Sequence, residues 1–207
     1  MFVAKEKFNR FFQKLFHSPL LKGKSVSRKI AYLGLMTAFA VVANTFFEVK
    51  LGEIQFSLTI LVGAFIGILV GGGYGFVVSF LGDMIGFFLH PFGAYLPMLG
   101  VSAGLTSSFA GFLLSYAVDK TENEPTVYPL KTVLAVIGVC LSCFFVCTVG
   151  ITHTTFFYLY ANGRSYWAYF AYRFFLQGQF YNCIFNYALL FLGVPLLRKL
   201  LEKLKNR

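Results

Sequence analysis

The sequence of 207 residues contains few charges, since Asp, Glu, Lys and Arg make up 13% of it against 57% for hydrophobic residues. Most of these charges lie near the two ends of the chain, so long apolar runs occupy the middle. A water-soluble globule needs more polar residues than this to cover its surface. The composition therefore excludes a soluble globular protein and predicts an integral membrane protein.

The sequence also lacks the motifs of several enzyme classes, with no phosphate-binding glycine loop followed by lysine, no HExxH and no GxSxG. An intramembrane enzyme would need a paired acid and base. Asp83 with His90 or His153 is a weak pair, because seven or seventy residues separate the partners. We therefore predict a protein that is not an enzyme, has no ATP site and has no energy source of its own.

Cysteine is scarce, with four residues in the chain. Cys140, Cys143 and Cys147 recur at i, i+3 and i+7 in one apolar run, and Cys183 lies alone in the next. A metal or iron–sulfur site would need deprotonated thiolates and supporting polar groups, which an apolar helix does not supply. We expect these thiols to pack in the interior, with no disulfide framework, no metal and no other cofactor.

Six apolar runs are candidates for membrane spans. Their boundaries are residues 30–47, 56–70, 74–89, 95–118, 132–158 and 166–197. Glu48, Lys50 and Glu53 mark a short polar loop after the first run, and the three glycines 71–73 form a tight turn after the second. The predicted fold is therefore an all-α integral membrane protein with six transmembrane helices.

The distribution of Lys and Arg predicts the orientation of the chain. Eight of the 18 cations precede the first run and five follow the last, and an even number of spans places both ends on one side. Lys120 and Lys131 lie on that side too. Both termini should be cytoplasmic, and the same distribution argues against a nucleic-acid partner. The chain divides into a basic amphipathic leader at the membrane interface (1–29), a membrane domain (30–197) and a basic cytoplasmic tail (198–207).

Asp83 and Arg173 are the only ionisable residues other than histidine inside predicted spans. A charge in hydrocarbon costs at least about 2.5–3.5 kcal/mol, so each side chain should face a polar interior. Either the two residues pair with each other or with helix ends, or they line a ligand cavity. Gln177 lies one helical turn beyond Arg173 on the same face, and a guanidinium with an amide suits a carboxylate or a heteroaromatic ring edge.

Aromatic and polar side chains gather near the predicted outer ends of the spans, where they either cap a pocket or anchor the protein in the interface. One group is the segment 90–95, and a second surrounds Asn44. Aromatic rings there can stack on a flat heterocycle. The candidate ligand-binding residues are Asn44, Phe47, Gln55, Asp83, His90, Tyr95, Trp167, Arg173 and Gln177.

Small residues form two stripes along which another helix can approach closely. One stripe runs along the third span and consists of Gly75, Ser79, Gly82 and Gly86. We expect this stripe to pack against helices of the same chain. The pair Gly34 and Ala38 in the first span can equally contact another protein.

Several segments together resemble a known family. They are IAYLGLMTAFAVVA at 30–43, QFSLT at 55–59, GILVGGGYGFVVSFLGDMIG at 67–86, FFLHPFGAYLPMLGVSA at 87–103 and YRFFLQGQFYN at 172–182. Across nearly its whole length the chain resembles the substrate-binding S components of energy-coupling-factor (ECF) vitamin transporters, and among them the folate-type branch most.

The resemblance implies an S-component-like bundle in the bacterial plasma membrane. Such a subunit captures one vitamin or related small molecule with high affinity at the outer face. It then topples within the membrane while bound to a transmembrane T protein and two cytoplasmic ATPases, and releases the ligand inside the cell. The resemblance also implies that Gly34, Thr37 and Ala38 contact the T protein.

The ligand stays open at this level. Folate is the best single candidate, and queuosine precursors, pantothenate, riboflavin and pyridoxine are alternatives within the same class of protein. A stand-alone secondary transporter is the rival class. That reading predicts internal repeats with interrupted helices in matching positions, and the sequence shows none.

Overall fold

The computed structural model describes residues 13, 15–46, 48–51, 54–91, 94–120 and 130–205. Side chains are described in these ranges except at 48–51, 54–56, 116–120 and 200–205. Helix α1 (Val26–Phe46) is followed by strands β1 (Glu48–Leu51) and β2 (Ile54–Ser57), then by α2 (Thr59–Val70), α3 (Gly72–Leu89), α4 (Pro97–Lys120), α5 (Leu130–Tyr160), α6 (Tyr166–Ala171) and α7 (Gln179–Lys205). Two stretches are π-helical: the centre of α5 (Cys143–His153) and the continuation of α6 (Tyr172–Leu176).

Within the described residues, five helices are long and apolar enough to cross a membrane, which confirms a multi-pass membrane protein. They are Val26–Phe46, Gly72–Leu89, Pro97–Ser115, Leu130–Tyr160 and Gln179–Lys199. The second predicted span does not meet this criterion, because α2 has 12 residues. At about 1.5 Å per residue it is about 18 Å long, whereas a bilayer core is about 30 Å thick. Most of α2 is buried, so its apolar run reflects the protein core rather than contact with lipid.

The helical fold is interrupted after the first span by two short strands. The predicted polar loop is an antiparallel hairpin in which Glu48 pairs with Ser57 and Lys50 pairs with Gln55. Polar and apolar residues alternate along both strands, EVKL and IQFS, which is the pattern of a half-buried strand. Three charged residues in a short segment concealed that alternation in the sequence.

The turn between α2 and α3 depends on glycine, as predicted. Gly71 has a φ of +88°, a conformation that other residues rarely adopt. A Cβ added to Gly67 would overlap the carbonyl oxygen of Ser107 in α4, and one added to Gly111 would lie 2.6 Å from the carbonyl oxygen of Gly67. Helices α2, α3 and α4 therefore approach one another at backbone distance.

The small-residue stripe on α3 packs inside the protein, which confirms the prediction. Gly75 lies against Gly67 of α2, and the hydroxyl groups of Ser79 and Ser107 are hydrogen-bonded to each other. Further along α3, Gly82 packs against Ala40 of α1. One face of α3 thus joins α1, α2 and α4 into a close-packed unit.

The described end of the leader is part of this unit. The Ser18 hydroxyl donates a hydrogen bond to the Leu69 carbonyl oxygen at 2.9 Å, and the Leu20 N–H donates to the same oxygen at 3.1 Å. Leu21 is buried, and the Phe16 ring meets the Tyr74 ring edge-on at 5.4 Å. This segment therefore packs against the turn between α2 and α3.

The sixth predicted span is divided. Its first part, α6 with its π-helical continuation, ends at Gln177, and α7 begins after Gly178, which has a φ of +77°. Glycine allows this break because it has no Cβ to clash in the left-handed region. The division separates the part of the span that carries Arg173 from the long helix that completes the core.

Candidate functional site

Arg173 lies in the π-helical segment and is buried. Its Nη1 donates a hydrogen bond to the Thr152 carbonyl oxygen at 3.1 Å, and its guanidinium carbon lies 4.1 Å from the centroid of the Phe156 ring. Arg173 does not pair with Asp83, and no carboxylate among the described residues neutralises it. The structure thus excludes a direct ion pair between Arg173 and Asp83, which was one interpretation of the sequence.

The two π-helical segments bring these groups together. Thr152 and His153 end the π-helical centre of α5, and Arg173 lies in the π-helical continuation of α6. A π-helical turn shifts the register of side chains and backbone hydrogen bonds, and such turns occur frequently at functional sites. The irregular part of α5 therefore faces the irregular part of α6.

His153, which follows Thr152 in the chain, is fully buried. The ring centroids of Tyr166, Tyr169 and Phe170 lie 4.8, 5.6 and 5.2 Å from the centroid of its imidazole. Neither ring nitrogen has a hydrogen-bond partner in the described part of the chain, although a backbone polar group of Tyr166 lies nearby. An unsatisfied buried polar group costs about 1–3 kcal/mol, so this arrangement needs an explanation.

Hydroxyl groups extend the polar region toward α4. The Ser102 hydroxyl lies 3.0 Å from the Thr152 hydroxyl and donates to the Cys147 carbonyl oxygen at 3.2 Å. The polar groups of α4, α5 and α6 therefore form one continuous set. We call these polar residues, together with the Phe156 ring, the Arg173 cluster. It consists of Ser102, Thr152, His153, Phe156 and Arg173.

Two other predicted site residues lie on the same segment as Arg173. The Trp167 side chain is exposed, and its ring contacts Tyr166 and Phe170, which also contact His153. Gln177 is half-buried and ends the π-helical segment, with its N–H donating to the Tyr172 carbonyl oxygen at 3.1 Å. Trp167 is thus linked to the Arg173 cluster through shared aromatic neighbours.

The remaining predicted residues on α1 and α3 form a separate group. Asn44 packs against Gly86, and Asp83 is half-buried within electrostatic reach of Tyr95. The Tyr95 ring contacts Phe87 and Phe88 at centroid distances of 5.2 and 5.8 Å. His90 is exposed at the end of α3. The structure does not bring Asp83 and its neighbours onto Arg173.

The hairpin is attached to α7 by two buried asparagines that the sequence analysis missed. The Ser57 N–H donates to Asn182 Oδ1 at 3.0 Å, and Asn186 Nδ2 donates to the Ser57 carbonyl oxygen at 2.7 Å. Asn186 Oδ1 also accepts from the Leu61 N–H at 3.0 Å. Two asparagines at i and i+4 in an apolar helix are the signal that could have revealed this contact.

Two further predicted ligand-binding positions, Gln55 and Phe47, lie in or next to the hairpin. Gln55 lies in β2, paired with Lys50 through the backbone, and its side chain is outside the described set. Phe47 lies outside the described residues. Their predicted contacts with a ligand stay predictions.

The predicted docking residues lie on α1. Gly34 and Ala38 are exposed, and nothing lies within 4 Å of a Cβ built on Gly34. Thr37 is half-buried, and its hydroxyl donates to the Leu33 carbonyl oxygen of the same helix at 2.9 Å. The two small residues therefore face away from the protein core.

Comparisons with known proteins match the chain to one family model and to solved structures. The family model described as "ECF-type riboflavin transporter, S component" matches residues 24–203. Among solved structures, "Crystal structure of FolT bound with folic acid" matches with a TM-score of 0.62 and 19% identity, covering 85% of this chain and 94% of that one. At this identity the likeness shows a shared fold. A comparison with curated proteins gave no match.

Proposed function

This chain belongs to the ECF-type riboflavin transporter S component family, and from that premise we propose that it is the high-affinity substrate-binding subunit of an ECF-type ABC importer. The observation that carries the proposal is the family match over residues 24–203. The FolT-like fold supports it independently of sequence. A binding subunit needs no catalytic residues, and we propose a transport role without enzymatic activity.

The Arg173 cluster is the proposed centre of the ligand site. The Arg173 guanidinium provides donors of fixed geometry, and the aromatic rings around His153 provide flat surfaces for a heterocycle. Trp167 and Gln177 flank the cluster on the same segment. We place Asn44, Asp83, His90 and Tyr95 on the opposite rim, where the hairpin with Gln55 and the adjoining Phe47 would cover the ligand.

Folate is the proposed ligand, and riboflavin is the second candidate because the matching family is named for it. Both molecules contain a fused heteroaromatic ring system that can stack on tyrosine and phenylalanine. The first test is isothermal titration of the purified protein with each vitamin, after mass spectrometry of any small molecule that copurifies. Nanomolar binding of folic acid with weak binding of riboflavin supports the folate assignment. The reverse result assigns riboflavin and leaves the class intact.

Transport should depend on an energy-coupling module of one T protein and two ATPases. The exposed Gly34 and Ala38 let a partner helix approach α1 closely, which supports a docking role for this face, with Thr37 beside it. Vitamin uptake by cells that express this chain alone should be negligible and should appear on co-expression of the module. Uptake without the module would instead favour a stand-alone secondary transporter.

We also propose that the short helix α2 completes a six-helix domain with both termini in the cytoplasm of a bacterial cell. Buried on α1, α3 and α4, α2 can cross part of the bilayer without contacting lipid along its length. Reporter fusions at residues 24 and 207 test the orientation. Cytoplasmic reporter activity at both ends is expected, and activity at only one end would require an odd number of spans.

A further inference from the structure

Arg173 carries a buried positive charge that the described residues compensate only in part. It has a carbonyl oxygen and the face of a phenylalanine ring as partners. Neither partner carries a negative charge, and one hydrogen bond uses a single donor of a group that has five. A buried charge is stable only when it is paired and hydrogen-bonded.

The neighbouring groups do not supply the missing charge. His153 follows Thr152, whose carbonyl oxygen accepts from Arg173, and neither nitrogen of its buried imidazole has a hydrogen-bond partner among the described residues. An imidazole next to a cation cannot compensate it, because it is either neutral or positive. The acid within the spans, Asp83, lies on α3 near Tyr95. The site thus contains N–H groups of Arg173 and ring nitrogens of His153 that make no hydrogen bond within the described residues.

We propose that the ligand of this site is an anion, with a carboxylate that pairs with Arg173 and a polar group that hydrogen-bonds His153. The proposal rests on the proposed function, since it names the ligand class for that same site. A guanidinium fork matches a planar carboxylate in a bidentate pair. A single buried cation suits one carboxylate better than a doubly charged phosphate. Pantothenate carries one carboxylate and folate carries two, either of which can pair with Arg173, whereas riboflavin and pyridoxine carry none.

The first experiment separates the carboxylate from the heterocycle. Purified full-length protein is titrated with folic acid, pteroic acid, 6-hydroxymethylpterin and riboflavin. Folic acid and pteroic acid should bind at least about tenfold more tightly than the uncharged 6-hydroxymethylpterin, which shares their pterin ring. Because 6-hydroxymethylpterin also lacks their aminobenzoyl ring, the share of the carboxylate is measured by the Arg173→Gln variant below. Equal or tighter binding of the uncharged pterin or of riboflavin would overturn the anion proposal while leaving the vitamin-binding function in place.

The second experiment locates the carboxylate on the protein. Arg173→Gln should weaken folic acid binding by about tenfold or more, with a much smaller effect on 6-hydroxymethylpterin. Arg164→Gln is the matched control, because Arg164 is exposed and stacks on the Tyr172 ring at 4.2 Å. An equal loss of affinity for folic acid and for 6-hydroxymethylpterin in Arg173→Gln would contradict a contact between Arg173 and the carboxylate.

The third experiment needs no ligand. The thermal midpoint of ligand-free Arg173→Met should rise by about 2 °C or more, because an uncompensated buried charge is removed. A fall would show that the charge is compensated in the free protein and would overturn the proposal even if no vitamin binds. Failure of the proposed function would look different: no vitamin would bind, and uptake would not depend on the coupling module.

His153→Phe tests the imidazole in the same way. The ring is replaced by an apolar one of similar shape, so the ligand-free protein should keep or gain thermal stability. Affinity for folic acid should fall by about fivefold or more if a nitrogen of His153 contacts the ligand. Unchanged affinity in this variant would remove His153 from the site.

Discussion

The two halves of the molecule are built in opposite ways. In the half formed by α1–α4, glycines let helices touch at backbone distance, and Gly67 and Gly111 have no space for a Cβ. In the half formed by α5–α7, the helices are widened into π-helical turns and broken at Gly178, and bulky aromatic rings fill the space between them. The first half is close-packed, whereas the second contains the buried imidazole of His153, whose nitrogens have no partner among the described residues. We propose that this second half, together with Ser102 of α4, forms the centre of the ligand site.

The largest expected effect lies in the close-packed half. Gly67→Ala should destabilise the protein by about 3 kcal/mol or more or prevent folding, because the added methyl group overlaps the Ser107 carbonyl oxygen. Gly138→Ala is the control, since its Cβ would lie 3.5 Å from Leu113 Cδ1, an ordinary contact. It should be neutral or stabilise by up to about 1 kcal/mol. Thermal unfolding in detergent measures both, and equal midpoints would contradict the close-packing argument.

Next in size is the connection between the two halves. Asn186→Ala removes the partners of the Leu61 N–H and the Ser57 carbonyl oxygen, which should cost about 2–3 kcal/mol. Gln179→Ala on the same helix is the control, because its side-chain contact is a weak one to Cys183 Sγ at 3.9 Å. The thermal midpoint should fall in Asn186→Ala and stay within about 1 °C in Gln179→Ala. A stable Asn186→Ala protein would mean that the hairpin does not need α7.

A smaller effect is expected at the helix break. Gly178→Ala and Gly163→Ala each place a Cβ at a positive φ, +77° and +80°, and each should cost about 1 kcal/mol. Only Gly178→Ala should also weaken vitamin binding, because Gly178 follows the segment that positions Arg173. Titration of both variants distinguishes a local strain from a role in the site. Equal vitamin affinities of the two variants would show that the helix break at Gly178 has no role in ligand binding.

The smallest effect on stability is expected at the exposed face of α1. Ala38→Trp should leave the thermal midpoint and the vitamin affinity unchanged, because Ala38 is exposed. It should nevertheless block copurification with the T protein and abolish uptake. Leu35→Trp is the control, because Leu35 is exposed, is already bulky and lies about 60° from Ala38 round the helix. Intact uptake in Ala38→Trp would place the docking face elsewhere.

Much of the close-packed half was predictable, because its signals are local. The spacing of Gly75, Ser79 and Gly82 indicated a face for close helix contact, and the three glycines at 71–73 indicated the turn. The length of α2 was not predictable from hydropathy, since an apolar run has the same composition whether protein or lipid surrounds it. Polar and apolar residues alternate in the two strands of the hairpin, which is typical of strands. The charged residues in the same segment nevertheless led to the prediction of a loop.

The site was only partly predictable. Arg173 stood out because a charge in an apolar run needs a polar environment, and Gln177 was grouped with it, whereas Trp167 was grouped with the outer aromatic residues; their contacts with a ligand stay predictions. His153 was considered only as a weak catalytic partner, because nothing in its neighbours along the chain shows that both nitrogens are unpartnered. Asn182 and Asn186 were missed because their partners lie about 125 residues away.

The sequence by itself determined the membrane class, the approximate helices, the glycine contacts and the family, since these depend on composition, period and local motif. Tertiary structure decided that Asp83 and Arg173 do not pair, that Arg173 binds the carbonyl oxygen of Thr152 next to the buried His153, and that α2 is a buried helix of 12 residues. The reason is physical: a side chain's partners are set by which helix faces pack together. That packing depends on the whole chain rather than on any one segment.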